Sequence, residues 1–240
     1  MPKRFVVAAS EFPGLPRFTA GFELAEALTA ASQHLHETLT PDGTLRTAAR
    51  LAVDILPGAD HAGISEFERG STPRTLACTD DVVRAAEAGH TGGEEHAHWD
   101  RLWDSPVASI ADSEADDGGD ALAALGLRSA LSLRLRADRR RLTVLTAYAR
   151  KPGAFDEDAT RIGRLFTAHV SIALDTATVH EQLTEAMHTR DLIGQATGIL
   201  MERQGVDAAA AFDSLVRASQ RENVKLRAIA RRIVDTHNTP

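Results

Sequence analysis

The sequence lacks several features that would place it outside the cell, in a membrane or among common enzymes. Cys78 is the only cysteine in 240 residues, so no intramolecular disulfide can form. No apolar stretch is long enough to cross a bilayer, and the one near Met1 is too short for the core of a signal peptide. There is no nucleophile elbow, P-loop, zincin motif, dinucleotide fingerprint or receiver-type phosphoacceptor pattern. We therefore expect a soluble, cytoplasmic protein that is not an enzyme.

Positive charge is scarce as well, and it is unevenly placed. The net charge is −7; residues 1–180 carry 19 basic and 26 acidic side chains, whereas residues 181–240 carry eight of each. A neutral C-terminal part can still bind RNA if its arginines cluster, because base stacking and hydrogen bonds at loop edges carry much of single-strand recognition. Any such binding is expected to have modest affinity and marked salt dependence.

Length and apolar content favour two modest domains over one large domain. Hydrophobic residues make up 43% of the chain, enough for a sizeable core. We place an N-terminal extension at 1–19, a first domain at 20–178 and a second at 179–240. No proline- or glycine-rich linker lies between 158 and 204, which predicts a continuous helix over about 158–204 that couples the two domains rigidly.

The first domain combines helical and strand patterns. Apolar residues recur with helical spacing over 22–56 and are interrupted by Pro41-Asp42-Gly43, which predicts two helices separated by a turn. Helices flanking an antiparallel sheet of about five or six strands would form an α+β fold. Alternating segments predict strands over 61–67, 74–79, 106–110, 129–136 and 142–149.

The order of these segments resembles a GAF domain over about residues 20–175. The departures are Thr143, where the family usually has glycine, and 88–104, which lacks the common Gly-Pro dipeptide. GAF domains bind small molecules or cofactors between sheet and lid, or serve as dimerisation modules. The resemblance therefore implies a sensor domain whose cofactor is unknown and whose effector is a small molecule. It rests on the segments 61–67 (HAGISEF), 125–131 (LGLRSAL), 145–149 (LTAYA) and 151–155 (KPGAF).

Three amphipathic helices are predicted near the C-terminus. Residues 190–205 (RDLIGQATGILMERQG) carry an apolar stripe and end at Gly205. A second helix is predicted over 206–220 with Asp207 as its cap, and a third over 225–236 after a short break in which Asn223 is a cap.

Two glycines lie four positions apart in the first of these helices. Gly194 and Gly198 are each less favourable there than alanine by about 1 kcal/mol, so they predict a close approach to the helix backbone. Packing of another helix and contact with RNA or a partner both remain open at Gly194. We favour RNA or a partner at Gly198.

The three helices resemble an ANTAR domain, an RNA-binding module of bacterial transcription antitermination regulators. The 190–205 helix, the Ala211-Phe212-x-x-Leu215 core and the Asn223-x-Lys225-Leu226 start of the last helix carry the resemblance. The family commonly has lysine at the position of Thr197, which cannot neutralise a phosphate. GAF and ANTAR domains occur together in known regulators, and the chain is identified as a GAF-ANTAR protein.

This resemblance implies a signal-responsive regulator that binds tandem hairpin loops in nascent mRNA and prevents a terminator from forming. Two protomers would supply the two RNA contacts, and the GAF-like domain would control them through dimerisation or helix rearrangement. The alternative is a DNA-binding transcription factor with a small-molecule-sensing GAF domain, because the break at 221–224 is compatible with a helix-turn-helix. The candidate RNA-binding residues are Arg190, Gln195, Thr197, Gly198, Arg203, Arg217, Arg221, Lys225, Arg227 and Arg231.

An apolar residue recurs every seven positions along the joining helix, which is the spacing of one coiled-coil position. The companion position four residues later is mostly polar, so we expect a weak, adjustable homodimer. The alternative is a single amphipathic helix that packs on its own domain. The expected dimer seam comprises Leu165, Ile172, Val179, Leu183, Ala186 and Ile193, and the repeat continues to Leu200.

Metal binding is not expected. Histidines without cysteines or a third well-spaced ligand are usually solvated loop residues. Cys78 is expected to be a small buried residue of a strand. The histidines and acidic residues considered as ligands are His90, His96, His98, Glu94 and Glu95.

Overall fold

The computed structural model describes residues 22–69, 71, 73–89, 101–116 and 119–238. Strands β1 to β5 span His61–Glu68, Arg74–Cys78, Val107–Ile110, Ser129–Ala137 and Arg141–Ala149. The main helices, α1 to α7, span Phe22–His36, Pro41–Ile55, Asp81–Gly89, Asp120–Ala124, Glu157–Gln204, Ala208–Glu222 and Leu226–Asn238.

The strands of the described residues form one antiparallel sheet in the order β2-β1-β5-β4-β3. Each of the five expected strands is present and differs from its expected ends by one residue at most. Helices flank the sheet, and the region from α5 onward is helical. The α+β first domain and the all-α second domain are therefore confirmed.

The second helix begins earlier than the sequence suggested. Pro41-Asp42-Gly43, expected to be the turn between two helices, is the first turn of α2, and the break lies just before it. Thr40 caps this helix, since its Oγ1 accepts a hydrogen bond from the Gly43 N–H at 3.2 Å. Proline suits the first helical position because its missing N–H would have no helical acceptor there.

Helices α1, α2 and the first part of α5 cover one face of the sheet. This face is apolar, and Leu133 and Leu145 pack there with Phe166 and Val170 of α5. A close approach requires glycine at Gly163, where a Cβ atom would lie 2.5 Å from Cδ1 of Leu133. The start of the long helix is thus tightly joined to the sheet.

The opposite face of the sheet is partly polar. Ser65, Ser132 and Thr146 are buried there, and the hydroxyls of Ser132 and Thr146 lie 2.9 Å apart in a hydrogen bond. Apolar side chains of α3 and α4, including Val83 and Leu122, belong to a separate core cluster on this side. The two faces therefore differ in chemistry.

Helix α5 runs without a break for 48 residues, roughly 72 Å. Asp156 caps its start by accepting a hydrogen bond from the Ala159 N–H at 2.8 Å. It ends at Gly205, which adopts the left-handed conformation with φ 64°. Every residue of 179–188 is exposed, so the helix joins two packed units across a solvated stretch.

The end of α5 packs with α6 and α7 around a second, smaller core. Its buried residues are Ala196, Leu215, Ile229, Ala230 and Val234. Within the ranges that the structure describes, no helix is long and apolar enough to cross a membrane.

Cys78 is the last residue of β2 and is partly exposed, not fully buried as expected. Its sulfur accepts a hydrogen bond from Arg84 Nη2 at 3.6 Å. Among the described residues, no group of three histidine, cysteine or acidic side chains could hold a metal ion. The residues considered as ligands lie outside the described ranges: His90, His96, His98, Glu94 and Glu95.

Candidate nucleic-acid interface

The ends of α6 determine how the two C-terminal helices meet. Asp207 caps its start by accepting a hydrogen bond from the Ala210 N–H at 2.8 Å. Asn223 adopts the left-handed conformation, with φ 53°, and ends α6. It is therefore the C-terminal cap of α6, a position that asparagine tolerates, and not the cap of the following helix. Ser219 Oγ donates to the carbonyl oxygen of Val224 at 2.6 Å and stabilises this turn.

An open groove of about 870 Å³ lies between α5 and the junction of α6 with α7. We call it the basic groove. It brings together Arg190, Lys225 and Arg227, three of the ten candidate RNA contacts, although they are distant in sequence. The groove is lined by Gln182, Glu185, Ala186, Thr189, Arg190, Ile193, Phe212, Lys225 and Arg227.

Phe212 is the aromatic residue of the basic groove. The sequence placed it in the helix core with Ala211 and Leu215, and those two residues are fully buried, but Phe212 is 43% exposed. It follows Ala211 by one position, or about 100° around the helix, so its side chain turns out of the core. An exposed aromatic ring beside basic side chains can stack on unpaired bases and neutralise their phosphates.

Two of the candidate arginines on α7 have partners on α5. Arg227 forms an ion pair with Glu185, and Arg231 Nη2 lies 3.4 Å from His188 Nε2. These four residues also line a smaller groove of about 390 Å³ beside the basic groove. Glu185 was not expected at the site, and no local pattern could reveal an acidic partner so far from Arg227 in sequence.

Other candidates lie on a different side of α5. Gln195 and Gly198 line a separate groove of about 600 Å³. Arg203 Nη2 lies 3.2 Å from Nδ1 of His237, which also lines that groove. The candidates therefore do not form one continuous surface.

The remaining candidates line none of these three grooves. Thr197 is half-buried, and its hydroxyl donates to the carbonyl oxygen of Ile193 at 2.8 Å within the helix. Arg217 is exposed and donates to Ser214 Oγ at 2.9 Å. Arg221 is exposed as well. Thr197 is thus occupied locally, and the two arginines lie outside the basic groove.

Gly194 and Gly198 are exposed on α5. No described residue has an atom within 4 Å of a Cβ built at either position, apart from the glycines' own neighbours in the helix. Packing of another helix of this chain, one of the two explanations considered for Gly194, is therefore not observed in the described part.

A bidentate ion pair joins α6 to α7. Arg232 Nη1 lies 2.5 Å from Glu222 Oε2, and Arg232 Nη2 lies 3.2 Å from Oε1. The hydrogen bonds from Arg232 lower the pKa of Glu222, and the same contact raises the pKa of Arg232. This arginine is therefore engaged within the bundle.

The expected dimer seam divides into two parts. Ile172 and Val179 are 59% and 62% exposed, whereas Ile193 is half-buried and packs on the core of the C-terminal bundle, as does Leu200. Met187, which the seven-residue repeat did not include, is exposed beside the seam. The remaining seam residues, all exposed, are Leu165, Leu183 and Ala186.

Comparison with protein families gives two matches in sequence order. Residues 38–175 match the family described as the GAF domain, and residues 181–234 match the family described as the ANTAR domain. No curated protein matches the chain.

Solved structures share the fold of the N-terminal part. The chromophore-binding domain of an unusual bacteriophytochrome from R. palustris is 12% identical with a TM-score of 0.52, covering 65% of this chain and 62% of that one. A bacteriophytochrome from the same bacterium is 13% identical with a TM-score of 0.60, covering 85% and 47%. The GAF domain of an Acinetobacter phosphoenolpyruvate-protein phosphotransferase is 15% identical with a TM-score of 0.50, covering 67% and 98%. The chain thus spans less than two thirds of either phytochrome structure, and at these identities the likeness shows the fold alone.

Proposed function

This chain belongs to the GAF domain family and carries a C-terminal ANTAR domain, and from that membership we propose that it is a signal-responsive RNA-binding antitermination regulator. ANTAR domains are RNA-binding antiterminators, and GAF domains sense signals. The C-terminal helices bind hairpin loops in nascent mRNA and prevent a terminator from forming. The protein acts by recognition and not by catalysis.

The basic groove is the observation that supports RNA binding most directly. It places the exposed ring of Phe212 beside Arg190, Lys225 and Arg227. RNA loops expose unstacked bases next to closely spaced phosphates, so an aromatic ring flanked by cations suits a loop better than a paired stem. The exposed ring receives a base, and the basic side chains contact the phosphates on either side of it.

Charge in the groove favours weak, salt-sensitive binding. Glu185 pairs with Arg227 in the free protein, so RNA must compete with this carboxylate. Residues 181–240 carry equal numbers of basic and acidic side chains, which removes long-range attraction for a polyanion. A dimer with two grooves would compensate for this weak binding. Once one groove holds the first loop, the second loop of the same RNA is present at high effective concentration near the other groove.

The exposed part of the seam supports a homodimer. Leu165, Ile172, Val179 and Leu183 present apolar side chains to solvent along α5, outside both cores. A parallel pair of these helices would bury the stripe and place two basic grooves at the same end of the dimer. The signal reaches RNA through α5, since the same helix packs on the sheet at one end and lines the groove at the other.

Removal of two cations from the basic groove tests the proposal. We expect Arg190→Ala/Lys225→Ala to weaken binding to a tandem-hairpin RNA about thirtyfold, because two charged contacts are lost, and to reduce the log–log salt slope by about 2. Arg217→Ala/Arg221→Ala removes the same charge outside the groove and is the matched control. Mobility shift of the full chain at several salt concentrations measures both quantities.

A third variant separates stacking from charge. Phe212→Leu keeps an apolar side chain but removes the ring, and we expect about tenfold weaker binding with an unchanged salt slope. Equal losses in the groove variant and in its control would contradict the groove assignment. Tighter binding to duplex DNA than to hairpin RNA in competition would favour the DNA-binding alternative and overturn the proposal.

A further inference from the structure

Buried polar side chains lie together on one face of the sheet in the N-terminal domain. Ser65 on β1 is directly opposite Thr75 on β2, and Thr146 on β5 is opposite both Gly63 on β1 and Ser132 on β4. Because residues opposite each other in a sheet, and alternate residues along a strand, share a face, these hydroxyls belong to one surface. The other face carries only apolar residues at the neighbouring central positions: Ala62, Ile64, Leu131, Leu133, Leu145 and Ala147.

A carboxyl group is buried over this polar face. Glu87 of α3 is 2% exposed, and its Oε2 accepts a hydrogen bond from the Thr75 hydroxyl. A side chain at Gly63 would collide with Glu87 Oε1 and with Val83, so the glycine makes room for the carboxyl group above β1. Among the described residues, no basic side chain forms an ion pair with Glu87.

Three buried polar atoms of this region make no hydrogen bond within the described structure. They are Ser65 Oγ, Glu87 Oε1 and Tyr148 OH, and each belongs to a residue that is at most 2% exposed. Buried polar groups in proteins are nearly always hydrogen-bonded, because desolvation without a partner is costly. Three such atoms over one face make it a candidate site for a polar ligand.

The electrostatics of this region link Glu87 and Tyr148. Burial raises the pKa of Glu87, and the nearby Ser65 and Thr75 hydroxyls only partly oppose this shift. Burial also raises the pKa of Tyr148 and the negative charge of Glu87 raises it further, while the Thr146 hydroxyl partly opposes the shift. Tyr148 and Glu87 are therefore close enough to interact, and a cation bound beside them would favour the ionised form of Glu87 that burial disfavours.

We propose that this site binds a small organic cation through a primary ammonium group, held by Glu87 Oε1, Ser65 Oγ and Tyr148 OH. An ammonium group has three N–H donors and no acceptor, and the site offers three oxygens that can accept, one of them on a carboxylate. The inference rests on the sensing role of the N-terminal domain and is independent of RNA binding. It identifies the signal as an amine.

The site also has a structural connection to α5. Tyr148 is adjacent in β5 to Ala147, which faces the other side of the sheet and belongs to the same core as Phe166 and Val170 of α5. A shift of β5 on amine binding would therefore be transmitted to the long helix through this packing contact. This connection gives the ammonium site a route to the dimer seam.

Tyr148 makes the proposal testable at the site itself, because it is the only tyrosine in the sequence. Full-length protein labelled with 3-fluorotyrosine has a single tyrosine resonance in ¹⁹F NMR. Methylammonium is the probe, and we expect it to shift this resonance saturably. Tetramethylammonium, which has the charge but no N–H donor, and potassium, which is a metal cation, should leave it unchanged at the same concentrations.

Variants test whether the shift of the ¹⁹F resonance depends on the three oxygens. Glu87→Gln should weaken methylammonium binding at least tenfold, since the charge of the acceptor is lost. Ser65→Ala should weaken it about fivefold by removing one neutral hydrogen bond. Glu26→Gln, an exposed change on α1, is the matched control and should have no effect.

Several results would overturn the proposal. Absence of any methylammonium shift would mean that the buried oxygens do not take an ammonium group, and an equal shift with potassium would assign the site to a metal cation. If Glu87→Gln does not fold, unchanged affinity in Ser65→Ala is the overturning result. Because the readout contains no RNA, a loss of the amine site leaves the RNA proposal intact, and failed RNA binding leaves this one intact.

Discussion

The two packed units at the ends of α5 differ greatly in size. Among the described residues, the main cluster of the N-terminal domain contains 20 buried residues, whereas that of the C-terminal bundle contains five. A small core buries little apolar surface relative to its chain length, so its stability is marginal. The bundle therefore depends strongly on each core contact, while its exposed side chains remain available for binding.

The same helix consequently has different requirements at its two ends. Near the sheet, α5 is held by Phe166 and by the close approach at Gly163. Near the bundle it exposes Gly194 and Gly198, with space around both. The first end of the helix is therefore closely packed, whereas the backbone at the second end is open to solvent.

The largest expected effect is on the two cores themselves. Phe166→Ala should lower the free energy of unfolding of the N-terminal domain by about 4 kcal/mol, and Leu215→Ala should lower that of the bundle by about 3 kcal/mol, because both leave cavities. We expect Leu215→Ala to unfold the bundle while the sheet remains folded. Thermal unfolding by circular dichroism, with hydrogen exchange to locate the loss, measures this.

Leu39→Ala is the control for these core changes, since Leu39 is exposed and its loss should change stability by less than about 0.5 kcal/mol. A single transition in the Leu215→Ala variant, with exchange increased equally in sheet and bundle, would show that the two cores unfold as one unit.

The next effect concerns the exposed stretch between the cores. Val179→Asp should raise the dimer dissociation constant at least thirtyfold, roughly 2 kcal/mol, because a carboxylate would be buried in an apolar seam. Stability of the isolated protomer should hardly change, as Val179 is 62% exposed. Thr184→Asp adds the same charge to an exposed position outside the seam. Sedimentation equilibrium that gives equal dissociation constants for the two variants would remove the seam from the proposed dimer.

The last comparison, which includes the smallest expected effects, makes one kind of substitution at the two ends of α5. Gly163→Ala should destabilise the N-terminal domain by about 2 kcal/mol, because the added Cβ collides with Leu133. Gly194→Ala and Gly198→Ala should each stabilise the bundle by about 1 kcal/mol, because alanine favours the helix and meets no neighbour. Chemical denaturation measures all three.

RNA binding adds a second readout to the glycine pair. If RNA approaches α5 at Gly198, the stabilising Gly198→Ala change should weaken RNA binding. Gly194→Ala is the control, because it has the same effect on helix stability one turn away. Destabilisation by either change would contradict the open space around these two glycines.

Much of the fold could be predicted because its signals are local. Alternating apolar residues located all five strands, and Asp207 and Gly205 marked helix ends through their own capping preferences. Local signals also failed in two places. Pro41 opens a helix instead of ending one, and Asn223 ends a helix instead of starting one. Both residues suit either role, and only the surrounding chain decides between them.

The candidate site was harder to predict. Residue type identified Arg190, Lys225 and Arg227 as candidates, but not that they share a groove with Phe212. The pairing of Arg227 with Glu185 joins residues on different helices, and no periodic pattern encodes it. The exposure of Phe212 depends on how far the small core extends around α6, which the spacing of apolar residues alone does not specify.

The sequence by itself determined the helices, the strands and the two families, because each depends on side-chain patterns repeated within a few residues. Tertiary structure alone decided which cations meet at the basic groove, that Ile193 lies against the bundle core, and that Glu87 is buried over Gly63. These outcomes depend on how helices and strands distant in sequence cross and pack. Burial and partner choice are therefore properties of the assembled chain and not of any one segment.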